Sequence, residues 1–230
     1  LMPVTKVASA DLTNIPLLRK IARTGRPVVM SCGASSHEEI EHSLEVLLKD
    51  GAASVTLLHC ILNYPTPREN AQLSQIQVLQ ERFGSRVAIG YSDHVKPEDD
   101  GSLPALEIAA LYGAVVIEKH FTDNKQGVGN DHYHAMDETD LRRFVEKLEL
   151  YSTLYGKREH SLAAQSQAIS NARRRIIAVR DLPAGHTLTE SDLIALRSNT
   201  GIEIAQWDAV IGKTLKRAVA ADLPLQAEDF

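Results

Sequence analysis

The chain has 230 residues, 43% of them hydrophobic, and a net charge of −5 from 25 basic and 30 acidic side chains. That content suffices for one sizeable core, or a core with a small satellite domain, and the charge balance argues against the broad basic surface that nucleic-acid binding needs. Cys32 and Cys60 form neither a disulfide framework nor a zinc pattern, and no signal peptide or membrane-length apolar run appears, so a cytoplasmic protein with no membrane partner is expected.

Four short apolar runs share one design. "PVVMSCG" reaches Ser31, "VTLLHC" reaches Cys60, "VAIGYSDH" reaches Ser92 and "VVIEKH" reaches His120, at steps of about 30 residues. A fifth, "TKVASAD", starts at Thr5. These runs are β-branched and nearly continuous in apolarity, as strands buried on both faces of a parallel sheet are. Helical patterns lie between them. "SHEEIEHSLEVLLKDG" opens with a Ser36 cap and Glu39 three residues on, and stops at Gly51. "PRENAQLSQIQVLQERFG" is read as a helix starting just after Pro67; "PALEIAALYG" and "DETDLRRFVEKLELYSTLYG" flank the last strand. Strand and helix alternating in units of this size give an α/β fold, either a doubly wound sheet or a (β/α)8 barrel.

After Gly156 the pattern changes. Residues 157–171 are polar and small-residue-rich and read as a linker. Residues 172–230 hold short β-type runs and the pair "DLPAGHTL" and "DLPLQAEDF", a small β-rich module. The Arg173-Arg174-Arg175 triplet reads as a solvated turn or strand edge.

In both α/β architectures the site lies at the carboxyl ends of the strands. Lys6, Ser9, Asp11, Ser31, Ser92, His94, Glu118 and His120 are therefore candidates for one mouth. Neither nucleotide-binding glycine motif occurs. His94 and His120 close adjacent strands, where two neutral imidazoles reach one ion of the Mn, Fe, Co or Zn kind; His59, His132 and His134 compete for that role. Lys6 is either an anion-binding cation or a solvent-exposed edge residue. Ser31 and Ser92 either donate to phosphate or cap local backbone. Glu118 is a base, a carboxylate supporting a ligand, or a partner for a lysine. Tyr64 in "NYPTP" faces a substrate or anchors a turn.

The stretches "KVASAD" (6–11), "VVMSCG" (28–33), "YPTP" (64–67), "IGYSDH" (89–94), "EKHFTD" (118–123) and "GNDH" (129–132), followed by "DLPAGHTLTESDL" and "IGKTLKRAV", make the chain resemble the sialic acid synthase family. That family condenses phosphoenolpyruvate with an N-acetylated sugar and carries a C-terminal SAF, or antifreeze-like, domain. The resemblance implies a partial TIM barrel over 1–156, about strands four to eight of the (β/α)8 fold, and a SAF domain over 172–230. It implies a divalent metal on His94 and His120, most simply Mn2+, with Mg2+ or Co2+ as alternatives. Lys6, Ser9, Ser31 and Ser92 would hold phosphoenolpyruvate; Tyr64 and Asp131 would meet the acceptor; Asn63 would be a further substrate-binding residue; Lys6, Asp11 and Glu118 would serve the chemistry. Arg197 would reach the sugar from the partner subunit of a domain-swapped homodimer. The family often has Glu where Asp11 stands and Thr where Cys32 stands. The chain starts at Leu1 inside the barrel pattern, so a truncated and by itself inactive piece is expected. Acceptors leading to legionaminic or pseudaminic acid are alternatives, as is a non-catalytic SAF-type binding protein.

Overall fold

The computed structural model describes residues 2–157 and 159–230; Arg158, inside the expected linker, and Leu1 lie outside the described residues. The chain divides into two compact units, Leu1–Gly156 and Lys157–Phe230.

The first unit is a five-stranded parallel sheet whose spatial order repeats its chain order. Its strands are β1 (Thr5–Val7), β2 (Val28–Ser31), β3 (Val55–Cys60), β4 (Ala88–Asp93) and β5 (Ile117–Lys119). Its longer helices are α1 (Ile15–Ala22), α2 (His37–Lys49), α3 (Gln75–Phe83), α4 (Pro104–Leu111) and α5 (Glu138–Tyr155). A doubly wound sheet reverses its strand order at a switch point; this one does not, and its order is that of consecutive barrel strands.

The sheet is also curled. β1 and β5 are opposite edges, four strand spacings or about 19 Å apart in a flat sheet, beyond the joint reach of a lysine and a glutamate. Yet Lys6 Nζ lies 3.3 Å from Glu118 Oε1. The two edges therefore face each other across a concave interior.

Register gives each face its chemistry. Lys6 stands level with Val29, Val29 with Thr56, and Thr56 with Ala88. Side chains two residues on share a face, so Lys6, Ser31, Cys60, Ser92 and Glu118 form the concave side. The other side carries Val28, Met30, Val55, Leu57, Ile89 and Tyr91, which join Leu18, Leu44, Leu47, Ile76 and Leu79 of the helices in one buried core. Position 90, which register puts on the concave side, is glycine because nothing larger fits: a Cβ there would stand 2.3 Å from Val116 O and 2.5 Å from Leu58 Cδ2.

Local signals explain most boundaries. Ser36 and Glu39 form the anticipated capping box at α2, and Asp137 with Asp140 forms another at α5. Helix α3 starts later than the sequence pattern suggests. Residues Arg68–Asn70 make only a 3-10 turn, and Gln72 then takes φ 45, a left-handed conformation that no helix accommodates.

The 157–171 stretch is not featureless. It holds a 3-10 turn at Ala163–Gln165 and most of the short, largely exposed helix α6 (Ser166–Ala172). In the second unit β6 (Arg174–Ala178) pairs antiparallel with β7 (Leu193–Arg197), followed by the one-turn α7 (Trp207–Val210). Ile176, Ala178, Leu182, Leu188, Leu193, Val210, Leu215, Val219 and Leu225 form its core. Of the arginine triplet, Arg174 is exposed on β6 and Arg175 lies 2.8 Å from Glu203. Among the described residues no helix is long and apolar enough to cross a membrane.

Candidate functional site

The concave face ends in a polar mouth at the carboxyl ends of the strands. Lys6 Nζ pairs with Glu118, which also accepts from Ser92 Oγ at 2.8 Å. Glu118 thus joins the first strand to the fourth. Ser9, in the turn after β1, accepts from Gly33 N at 2.9 Å. A Cβ on Gly33 would itself lie 2.9 Å from Ser9 Oγ, so glycine lets the β2 loop close on that hydroxyl. Ser31 Oγ is buried without a hydrogen-bond partner, an arrangement that costs free energy unless a ligand or water completes it.

The two histidines named from sequence meet. Their ring centroids are 5.3 Å apart at 74°. The His94 Nδ1 atom is 2.8 Å from the Ile61 carbonyl. A carbonyl only accepts, so Nδ1 carries the proton and Nε2 keeps its lone pair. Burial lowers the His94 pKa from its ordinary value, and the nearby His120 pushes the same way; both favour the neutral, ligating form. Tyr64 packs on His94 with centroids 4.0 Å apart, and burial raises its phenol pKa.

His134 completes a group that the sequence ranked no higher than its competitors. It is fully buried, its ring is 4.9 Å from that of His120, and burial lowers its pKa. Asp131, expected at the acceptor, stands between the two, 3.7 Å from His120 Nδ1 and 4.0 Å from His134 Nε2. One ligand atom each from His120, Asp131 and His134 lie within 4.8 Å of one another. A half-buried and a buried imidazole with an exposed carboxylate make a donor set that fits a divalent first-row ion.

The other two competing histidines are structural. His59 points to the helix side, where it stacks on Tyr91 and bonds Ala71 O at 2.8 Å. His132 Nδ1 is held by Thr122 Oγ1 at 2.7 Å.

The remaining candidates stand apart. Asp11 is half-exposed and accepts from the Asn14 amide at 3.2 Å; among the described residues it bonds neither Lys6 nor the histidines. Asn63 is exposed on the β3 loop. Arg197 belongs to the second unit, exposed at the end of β7.

Behind the mouth, the sequence reading missed a buried ion pair. Lys119 Nζ donates to Asp93 Oδ2 at 2.6 Å and to Val95 O at 2.7 Å, and the two side chains are 0% and 2% exposed. Asp93 also accepts from Tyr91 OH and Val95 N. Each partner immediately precedes a mouth histidine, so the pair locks the ends of β4 and β5 together.

Comparison with known proteins agrees with this architecture. The NeuB family pattern matches residues 1–160. The chain belongs to the NeuB family. In this NeuB chain a SAF domain matches residues 173–230. An uncharacterized protein of Methanocaldococcus jannaschii is 37% identical to the NeuB chain over 94% of it and 62% of the relative. An N,N'-diacetyllegionaminic acid synthase of Campylobacter jejuni is 32% identical, over 92% of this chain and 62% of its own. The crystal structure of a sialic acid synthetase from Leptospira borgpetersenii superposes with a TM-score of 0.65 at 31% identity, covering 73% of this chain and 56% of that one. The NeuB chain spans about three fifths of the length of these curated relatives.

Proposed function

We propose that this chain carries the carboxyl-end catalytic face of a sialic acid synthase-type enzyme, which condenses phosphoenolpyruvate with an N-acetylated sugar aldehyde to give a nine-carbon 2-keto acid and phosphate. In this reading its five strands stand where strands four to eight of a (β/α)8 barrel would. The observation that carries the proposal is the mouth itself: His94 and His120 with rings 5.3 Å apart, beside a Lys6–Glu118–Ser92 chain, in a member of the NeuB family.

The anionic phosphoenolpyruvate would be met by Lys6 and by the hydroxyls of Ser9, Ser31 and Ser92. Ser31 is the prime candidate, since its buried hydroxyl has no partner. Lys6 is already paired with Glu118, so the incoming anion shares or replaces that carboxylate. Glu118 then holds Ser92 and can exchange a proton with water added at C2. Carbon C3 of the enol attacks the sugar aldehyde, and the C2–O bond to phosphate breaks as phosphate leaves. His94 and His120 would hold a divalent ion, most simply Mn2+, which supplies Lewis acidity toward the aldehyde oxygen. Tyr64 and Asp131 would border the acceptor, Asn63 would add a substrate contact, and Arg197 would orient the acceptor's N-acetyl group from the partner subunit of a domain-swapped homodimer.

The legionaminic acid synthase relative favours a second choice of acceptor, a 2,4-diacetamido sugar in place of N-acetylmannosamine. Calorimetry with phosphoenolpyruvate and phosphate-release assays over a panel of acceptors test the proposal. Phosphoenolpyruvate binding weakened tenfold or more by Lys6→Ala and by Ser31→Ala supports it. Binding insensitive to both, or absent with Mn2+ present, overturns it.

A further inference from the structure

We infer that Arg174 and Arg197 form a binding site for a phosphate group, free or as a monoester, at one end of the β6–β7 ribbon. The inference goes beyond the proposed reaction: it lies within the second unit and turns on Arg174, which that reading does not use.

Register makes the pair. Arg174 stands directly opposite Arg197, as Ile176 stands opposite Ala195 and Ala178 opposite Leu193. Ile176 and Ala178 turn their backbone groups away from β7: Ile176 N donates to Ile202 O, Leu225 N donates to Ile176 O, and Ala178 N donates to Leu223 O. Hydrogen-bonded and non-hydrogen-bonded positions alternate along an antiparallel pair. Arg174 and Arg197 therefore face each other at a non-hydrogen-bonded position, where opposing Cα atoms are only about 4.5 Å apart and side chains lie closest. Two like charges placed there repel.

The surrounding fold leaves that charge standing. Both side chains are exposed. Among the described residues neither pairs with a carboxylate, and the one hydrogen bond of the two guanidinium groups runs 3.4 Å from Arg174 Nη1 to Ala172 O. The neighbouring carboxylate, Glu203, is already engaged by Arg175 at 2.8 Å and by Arg173 at 3.8 Å. This end of the ribbon thus sets four arginines against one glutamate.

The donors select the ligand. A guanidinium offers a planar fork of N–H groups that a single carboxylate satisfies. Two facing forks call for more acceptors and more charge. A phosphate monoester carries about −1.5 to −2 charges at pH 7 and three acceptor oxygens, so one such group accepts from both arginines and offsets their repulsion.

The test uses the 230-residue chain at low, constant ionic strength, with inorganic phosphate, glycerol phosphate and acetate as separate probes. The Nε signals of Arg174 and Arg197 in nitrogen NMR are the readout. Both should shift together as phosphate is added, and acetate should bind more weakly. Arg174→Gln should weaken the phosphate binding seen at Arg197 about tenfold or more. Arg174→Lys, which keeps the charge and loses the fork, should fall between. Glycerol phosphate binding more tightly than inorganic phosphate points to a group carried on a polyol or sugar, and the converse order to free phosphate; either supports the inference. If Arg174→Gln does not fold, the signals of the unmodified chain and of Arg174→Lys decide. Signals unmoved by both phosphates, acetate binding as tight as phosphate, or unchanged phosphate affinity in a folded Arg174→Gln overturns the inference. Shifts that vanish in Lys6→Ala trace the phosphate to the mouth of the first unit; that outcome overturns the inference and leaves the proposed function intact.

Discussion

Replacing Lys119 with methionine removes one member of a buried pair without emptying its space. Asp93 would remain 2% exposed with its countercharge gone, keeping only the Tyr91 hydroxyl and the Val95 amide as donors. Breaking a buried pair in this way costs about 3–5 kcal/mol. With a urea slope of about 2 kcal/mol per molar for a domain of this size, the unfolding midpoint should fall by about 2 M. Far-UV circular dichroism, dominated by α1–α5, is the readout. Asp93→Asn combined with Lys119→Met removes both charges and should recover at least half of the loss, since apolar or neutral replacements of whole pairs are often tolerated. A single variant within about 0.3 M of the parent would refute the account, because the lysine would then not be neutralising a desolvated carboxylate.

Gly90→Ala should destabilise the first unit by about 1–3 kcal/mol or more, read by the same urea titration, since the new methyl meets the Val116 backbone carbonyl. Ser36→Ala at the α2 cap should cost about 1 kcal/mol. His59, His94 and His134 all have pKa values lowered by burial. Their neutral forms favour the fold, so this stability is present above about pH 6.5 and is lost as pH falls below it; the urea midpoint should drop between pH 7 and pH 5. In the second unit Asp192 is held well below the ordinary carboxylate range by His186 first, then by Thr189 and Arg180. Its contribution is present above about pH 3.9 and is lost as pH falls toward the folded value. Asp192→Asn should therefore flatten the acid dependence of Trp207 fluorescence, which reports the only tryptophan.

The strand ends were legible because buried parallel strands are apolar until they leave the sheet. A polar residue closing such a run must face the mouth or find a partner. That reasoning located Lys6, Ser31, Ser92, His94, Glu118 and His120. It did not reveal that Lys6 and Glu118 bond each other, since curl is a property of the assembled sheet and not of any one run. Asp93 and Lys119 were passed over because they sit beside more conspicuous histidines. Period-two alternation places them on the opposite face, and two adjacent strands with opposite charges at matching positions were the available signal. His134 gave no comparable sign: it follows a loop, where side-chain direction is not set by periodicity. Likewise the late start of α3 turns on the backbone at Gln72, a residue whose type does not announce a left-handed conformation.

The bond between Lys6 and Glu118 joins the first and last strands of the sheet. That pairing cannot form on a sheet lacking β1 or β5; it appears only once these five strands have docked. In the proposed function a small anion seated there would act as a clasp on the whole unit, and its affinity would gauge how completely the sheet has assembled.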